Sequence, residues 1–184
     1  MGVVGPIASG KGIVSDFLVE KGFVKYSFSD EVRAEAQNRN IPIERKYLQD
    51  LGNKMRSLHG NGYWAQRIIK KLEENRNYVI EGIRNPGEID ILRKLKDFIL
   101  IGIDTPLEIR LERILKRNKD SDPKTREEIE KIEARDRGEG EKDHGQQVDV
   151  CYKMADYFLT NEGSIEDIRL KVELLLKKLD SQIA

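Results

Sequence analysis

Short apolar runs alternate with longer amphipathic segments along most of the chain. In the longer segments apolar side chains recur every three or four positions, which predicts helices at residues 11–21, 88–95, 106–116 and 165–179. The short runs predict strands at residues 2–4, 23–27, 78–81, 98–104 and 156–160. Strands that alternate with helices in this way form βαβ units, so the pattern predicts an α/β fold around a parallel sheet.

Two segments depart from this alternation. Residues 30–75 have helical patterns rich in Arg, Asn and Gln, with no obvious strand between them. Residues 117–147 are strongly charged and carry few large apolar side chains. Such a segment cannot bury a core of its own, so it is either a disordered loop or a mobile flap over an anionic ligand. The remaining residues, 1–29, 76–116 and 148–184, form the predicted core of a single domain.

The composition argues against several classes of protein. A formal net charge of zero gives no global field that attracts DNA or an anionic membrane, so we expect neither a nucleic acid nor a membrane as partner. No apolar run is long enough to cross a bilayer, and the first residues lack the order of a signal peptide, so we expect a cytoplasmic protein. The single cysteine, Cys151, excludes an intramolecular disulfide.

The stretch "GPIASGKGI" has the glycine spacing of a phosphate-binding loop and lies between a predicted strand and a predicted helix. Its glycines let the backbone curl so that amide groups point inward, and the following helix adds the partial positive charge of its N-terminus. A lysine there can follow a phosphoryl group in transit. The alternative is a glycine-rich turn without a ligand. The predicted ATP-binding residues in this loop are Gly5, Pro6, Ile7, Ala8, Ser9, Gly10, Lys11, Gly12 and Ile13.

Gly12 stands where such loops usually carry a Ser or Thr hydroxyl for magnesium. Mg²⁺ tolerates this loss because it usually keeps several waters, provided that a carboxylate lies nearby. Glu81, at the end of the predicted strand 78–81, is the first candidate to hold those waters, and Asp104 is the second. Each carboxylate could instead cap the helix that follows it.

The motifs "GPIASGKG", "SDEVR", "EGIR" and "ERILKR", in this order along nearly the whole chain, resemble those of P-loop nucleoside monophosphate kinases. They also resemble dephospho-CoA kinases and archaeal adenylate-kinase-like proteins. The stretches "YLQDLGNKMR" and "NGYWAQR" are similar to the kinase-like segment attached to some deoxycytidylate deaminases, but the zinc signature of the deaminase is absent. The resemblance implies a three-layer P-loop NTPase fold with a five-stranded parallel sheet, a helical acceptor-binding insert at 30–75 and a mobile lid at 117–147.

The same resemblance implies roles for individual residues. Asp30 and Arg33 match the Asp-x-x-Arg motif that binds the acceptor phosphate, and Glu81 would order the waters of the metal. The "EGIR" stretch is one residue shorter than the family motif and lacks its proline. The implied catalytic residues, which bind the acceptor phosphate, flank the donor triphosphate or close with the lid, are Lys11, Arg84, Arg113, Arg117, Arg135 and Arg137.

Further contacts are expected on both substrates. Asn161 and Gly163, after the last predicted strand, would lie against the donor base. Tyr63 and Trp64 could stack on the acceptor base, although packing beneath the helical segment is the favoured alternative for Trp64. The predicted acceptor-binding residues are therefore Asp30, Arg33, Arg56, Tyr63, Trp64 and Arg84.

The predicted function is Mg²⁺-dependent phosphoryl transfer from ATP to a nucleoside or deoxynucleoside monophosphate, with the deaminase-linked similarity favouring a deoxypyrimidine. An acceptor phosphate is already anionic, so such an enzyme needs arginines and no general base. Two alternatives stay open. A dephospho-CoA kinase would need a carboxylate base, for which Asp30 is available. A nucleotide-binding switch or assembly ATPase would hydrolyse ATP slowly and need no acceptor.

Overall fold

The computed structural model describes residues 1–117 and 125–183. Five parallel strands form one sheet in the order β2-β3-β1-β4-β5. Their bounds are Gly2–Val4 for β1, Val24–Ser27 for β2, Tyr78–Glu81 for β3, Leu100–Asp104 for β4 and Tyr157–Thr160 for β5. The predicted five-stranded parallel sheet is confirmed, and each strand lies within the range that the apolar runs indicate.

The described residues form helices that connect or flank these strands. No described helix is both long enough and apolar enough to cross a membrane. The helices are α1 (Lys11–Glu20), α2 (Phe28–Asn38), α3 (Arg45–His59), α4 (Tyr63–Ile69), α5 (Pro86–Leu92), α6 (Leu107–Arg117), α7 (Arg126–Arg137), α8 (Val148–Lys153) and α9 (Ile165–Ile183).

Successive side chains of a strand point to opposite faces of the sheet, and helices cover both faces. Val3 and Ile101 belong to a core cluster with residues of α1 and α9. Val4 and Leu100 belong to a second cluster with residues of α2, α3, α4, α5 and α8. The molecule is therefore a three-layer α/β fold, with the carboxyl ends of its strands at one edge of the sheet.

The charged segment contains an ordered helix where the composition allowed a disordered loop. Thr125 and Glu128 form a capping box at the start of α7, and this reciprocal pair of hydrogen bonds stabilises the first turn. Ile129 is buried against Leu111 and Ile114 of α6. Because one apolar side chain anchors the helix, α7 packs despite its charge. The disordered-loop interpretation is thus wrong for residues 125–137.

Candidate active site

The loop between β1 and α1 requires glycine at two positions. A Cβ atom on Gly5 would clash with the carbonyl oxygen of Ile103 in the neighbouring strand β4. Gly10 has a φ of 98°, and a Cβ atom there would clash with the side-chain amide of Asn161. Residues with a side chain rarely adopt such a φ. Glycine is therefore required at both positions, by close contact and by backbone geometry. Ala8 is also left-handed, with a φ of 59°, which is strained for a residue with a side chain.

Buried hydrogen bonds hold this loop from behind. The carbonyl oxygen of Ser9 accepts from Asn161 Nδ2 at 2.9 Å and lies 3.0 Å from the hydroxyl of Thr105. Arg113 donates to the carbonyl oxygen of Asn161 at 3.0 Å. Asn161 is therefore a support of the loop in this structure, with its side chain 2% exposed, and is not an open contact for a base. Gly163, also predicted there, lies exposed in the turn before α9.

The ammonium group of Lys11 lies inside the loop, where it donates to the carbonyl oxygens of Gly5 at 2.8 Å and Pro6 at 2.6 Å. Burial, and after it the guanidinium of Arg84, lower the pKa of Lys11, which is about 7. The carboxylates of Asp136 and Glu81 act in the opposite direction. Charged groups from separate segments of the chain therefore converge on the loop lysine.

Arg84 is positioned by the start of α5. Its backbone amide donates to Glu88 at 2.8 Å, and Asn85 and Glu88 form a capping box at this helix end. The guanidinium of Arg84 donates to Asp136 of α7 at 3.1 Å. The shortened "EGIR" motif thus places Arg84 close to the loop lysine and in contact with the predicted lid.

A family model described as an AAA domain matches residues 1–138, which include the loop. A "UPF0200 protein" of Sulfurisphaera tokodaii is 32% identical over 177 residues, which cover 96% of this chain and 95% of that protein. The chain belongs to the AAA domain and UPF0200 families. The motifs that resemble kinases therefore lie in a family whose name states no activity.

Solved structures with the same fold include TT1252 from Thermus thermophilus, with a TM-score of 0.64 and 20% identity over 100% of this chain and 96% of that chain. Shikimate kinase from Aquifex aeolicus has a TM-score of 0.54 and 18% identity over 97% and 96%. Identities this low show the fold alone. The P-loop kinase-like fold is thus confirmed for this UPF0200 protein, whereas a nucleoside monophosphate kinase is indicated by the sequence motifs only.

The other predicted arginines of this UPF0200 protein do not all reach the loop. Arg135 donates to Glu141 and Asp50, each at 2.6 Å, so it joins α7 to α3. Arg137 is exposed and pairs with Glu139 at 3.1 Å. The side chain of Arg117 lies outside the described residues.

The predicted acceptor residues fall into two groups. Asp30 and Arg33 are exposed and pair with each other at 2.9 Å. Arg56 is buried and pairs with the fully buried Glu88 at 2.8 Å, so the prediction that it binds an acceptor is corrected to a structural role. The base-stacking prediction is also corrected for Trp64, which has no exposed surface and donates to the carbonyl oxygen of Gly52 in α3.

Tyr63 remains half-buried beside this core. Its ring stacks on His59, with the ring centroids 4.9 Å apart, and its hydroxyl accepts from Arg67 at 3.2 Å. One aromatic neighbour already covers the ring, so the structure does not leave Tyr63 free to stack on a base from that side.

A magnesium ion would find few protein ligands at this site. Glu81 lies near Lys11, but its carboxylate also pairs with Lys25 at 3.2 Å. Asp104 is exposed and accepts from the amide of Thr105 at 2.8 Å. Within residues 1–117 and 125–183 no group of three or more His, Cys, Asp or Glu side chains could hold a metal. These residues fit a cation held by nucleotide oxygens and water, with Glu81 as a carboxylate close to the loop lysine.

Sterics do not explain the glycine after the loop lysine. A Cβ atom on Gly12 would meet no atom within 4 Å. A Ser side chain would therefore fit there without displacing any neighbour.

A cavity of about 200 Å³ opens beside Pro6 and Ile7 of the loop. It lies under the lid helix and is more acidic than basic. Burial and the nearby Asp104 carboxylate raise the pKa of Tyr152 in its wall. The charged residues in the lining are Asp104, Arg110, Glu133, Asp136, Arg137 and Asp149.

Sequence reasoning missed several residues of this site. Arg110 donates to the carbonyl oxygens of Thr105 and Ile7 and pairs with Glu133 of α7. A signal was present, because Arg110 lies on the apolar face of α6, four positions before Ile114. Similarly, Glu133 and Asp136 follow the buried Ile129 at spacings of four and seven. Charges at apolar positions of an amphipathic helix mark buried polar contacts.

Proposed function

We propose that this protein transfers the γ-phosphoryl group of ATP to a small anionic acceptor, namely a nucleoside or deoxynucleoside monophosphate. The observation that carries the proposal is the convergence of Lys11 and Arg84 at a phosphate-binding loop that the lid helix α7 covers. Chemistry on a monophosphate needs positive groups around the transferred phosphoryl, and these residues supply them.

In the proposed reaction an oxygen of the acceptor phosphate attacks the γ-phosphorus of ATP, and the bond from that phosphorus to the β–γ bridging oxygen breaks. ADP leaves with the electron pair of that bond. The loop amides and the N-terminus of α1 bind the donor phosphates. Lys11 leaves its two loop carbonyls and follows the phosphoryl group, while Arg84 holds the acceptor phosphate. The acceptor oxygen is already anionic, so no residue has to remove a proton.

Magnesium, when bound, would neutralise charge on the β- and γ-phosphate oxygens. Glu81 would hold it through water. Glu81 pairs with Lys25 and stays close to the loop. In the proposed reaction this carboxylate does not contact the transferred phosphoryl group. The partners of the protein are then small-molecule nucleotides.

A second candidate is a kinase with a hydroxyl acceptor, as in the dephospho-CoA kinases. The acidic lining of the cavity beside Pro6 and Ile7 favours it, because carboxylates repel a second anion and accept hydrogen bonds from hydroxyl groups. Asp104 is the carboxylate of that lining closest to the carboxyl edge of the sheet, so it would serve as the general base.

A coupled assay of ADP release separates these functions. The protein is given ATP and magnesium with, in turn, each nucleoside and deoxynucleoside monophosphate, dephospho-CoA, shikimate, or no acceptor. Rapid release with a monophosphate supports the proposal. Release only with a hydroxyl acceptor replaces it with the second candidate. Slow release that no acceptor accelerates indicates a nucleotide-dependent switch and contradicts both kinases. Lys11→Met is the matched control for contaminating activity.

A further inference from the structure

One carboxylate of the lid helix lies among three donors from the other side of the site. Asp136 Oδ2 accepts from Arg45 at 3.0 Å and from Arg84 at 3.1 Å, and Asp136 Oδ1 accepts from Gln49 at 3.1 Å. The side chain of Asp136 is only 5% exposed. These donors come from the first turns of α3 and from the turn after β3, so separate segments build one buried anion-binding arrangement.

The arrangement adjoins open space. Asp136 lines the cavity of about 200 Å³ beside the loop, and its charge acts on the ammonium group of Lys11. Arg45, Gln49 and Arg84 do not line the cavity themselves, so a ligand there reaches the two guanidinium groups that Asp136 now engages only when Asp136 moves aside. The paired N–H groups of a guanidinium match the spacing of two oxygens of a phosphate as well as that of a carboxylate.

Contacts other than those of Asp136 also hold the lid helix. Arg135 connects α7 to Asp50 of α3, and Ile129 anchors it to α6, without any contribution from the Asp136 carboxylate. Release of the Asp136 side chain from its donors would leave these contacts in place.

We propose that Arg45, Gln49 and Arg84 form the subsite for the phosphate monoester of the acceptor, and that Asp136 occupies this subsite until the acceptor displaces it. The identification of the ligand as the acceptor rests on the proposed function. A phosphate monoester carries up to two negative charges and three acceptor oxygens, so it outcompetes a single carboxylate for the same donors. Asp136 then acts as an internal competitor that rejects neutral and weakly charged molecules.

The test uses inorganic phosphate and calorimetry, with the loop filled by a non-hydrolysable ATP analogue and magnesium. Asp136→Asn should bind phosphate on the order of tenfold more tightly than the wild type, because the charged competitor is gone. Adding Arg45→Gln to that variant should abolish the gain. Glu141→Gln is the matched control, because this second lid carboxylate pairs with Arg135 and Asn53 and should leave phosphate affinity unchanged.

An unchanged or weaker affinity in a folded Asp136→Asn protein overturns the inference, as does a gain that survives Arg45→Gln. Should Asp136→Asn fail to fold, hydrogen exchange on the wild type decides the question. Millimolar phosphate should then accelerate exchange in α7, whereas unchanged or slower exchange contradicts the displacement. None of these measurements needs phosphoryl transfer. A protein that binds ATP but lacks the phosphate effect refutes this inference alone, whereas one that binds no ATP refutes the proposed function.

Discussion

The two sides of the candidate active site are held by different kinds of bond. On the loop side, buried groups such as Asn161 and Thr105 bond to backbone carbonyl oxygens. On the lid side, charged pairs such as Arg135 with Asp50 join α7 to α3, and half of the Asp50 side chain is exposed. Buried hydrogen bonds to the backbone persist in salt, whereas partly exposed ion pairs exchange with other ions.

This difference suggests that donor binding depends on the loop side and that closure over the site depends on the lid side. A loop fixed by its surroundings needs no rearrangement to accept a polyphosphate, so its amides are preorganised for the donor. The partly exposed ion pairs between α7 and α3 can be traded for the phosphates of a substrate at little net cost in free energy. On this account the loop side determines donor binding and the lid side responds to the acceptor.

The largest expected effect comes from removing the loop lysine. Lys11→Met should lower the rate of phosphoryl transfer on the order of 10³-fold, because it removes the charge that follows the phosphoryl group. The measurement is the ADP-release assay with the best acceptor. Lys177→Met, which changes an exposed lysine of α9, is the control and should leave the rate unchanged. Comparable rates in both variants would contradict the role of Lys11.

Asn161→Ala tests the loop side. Loss of its amide leaves the buried carbonyl oxygen of Ser9 with one donor fewer, which should cost about 1–3 kcal/mol in the free energy of unfolding and weaken ATP binding. Urea denaturation and calorimetry measure the two effects. Asn61→Ala removes an exposed side-chain bond to the carbonyl oxygen of Asp143 and should change neither. Equal effects of the two variants would remove the distinction between the sides.

Arg135→Gln tests the lid side. Because its partners are partly exposed, the change should cost less than about 1 kcal/mol in stability but should accelerate hydrogen exchange in α7. High salt should produce the same acceleration in the wild type and little further change in the variant. Arg126→Gln, whose partners Glu108 and Glu130 lie outside α3, is the control and should retain the wild-type response to salt.

The smallest expected effect is that of Gly12→Ser. The new side chain meets no neighbour, and the substitution should change stability by no more than about 1 kcal/mol. Its hydroxyl adds an oxygen near the donor phosphates, so the concentration of magnesium at half-maximal activity should fall a few-fold. Gly12→Ala has the same backbone effect without the hydroxyl and should leave the magnesium dependence unchanged. A clash-like loss of stability would show that the glycine is sterically required.

The pattern of apolar residues predicts the strands of the sheet, and the glycine spacing predicts the loop. The spacing of apolar residues shows which face of a strand or an amphipathic helix is buried. Gly5 and Gly10 mark a backbone conformation that no other residue adopts easily. The same reasoning could not place the charged groups. The direction of an arginine depends on which carboxylate lies across the fold, as Arg56 with Glu88 and Arg135 with Asp50 show.

The role of Asp136 was hidden for the same reason. In "EARDRGEG" the flanking arginines draw attention as lid residues, yet the aspartate between them makes the contact with Arg84. Its spacing of seven from Ile129 was the available sign that it lies on the buried face of α7.

Proton uptake on ATP binding tests the central claim most directly. The pKa of Lys11 is about 7 in the folded protein, so at pH 8 the side chain is mostly neutral. A polyphosphate beside it raises that pKa, and binding should therefore take up a large fraction of a proton at pH 8 and much less at pH 6. Calorimetry in buffers of different ionisation enthalpy measures this uptake, and Lys11→Met should lack it. Absence of binding, or equal uptake in Lys11→Met, would contradict a donor site built around Lys11.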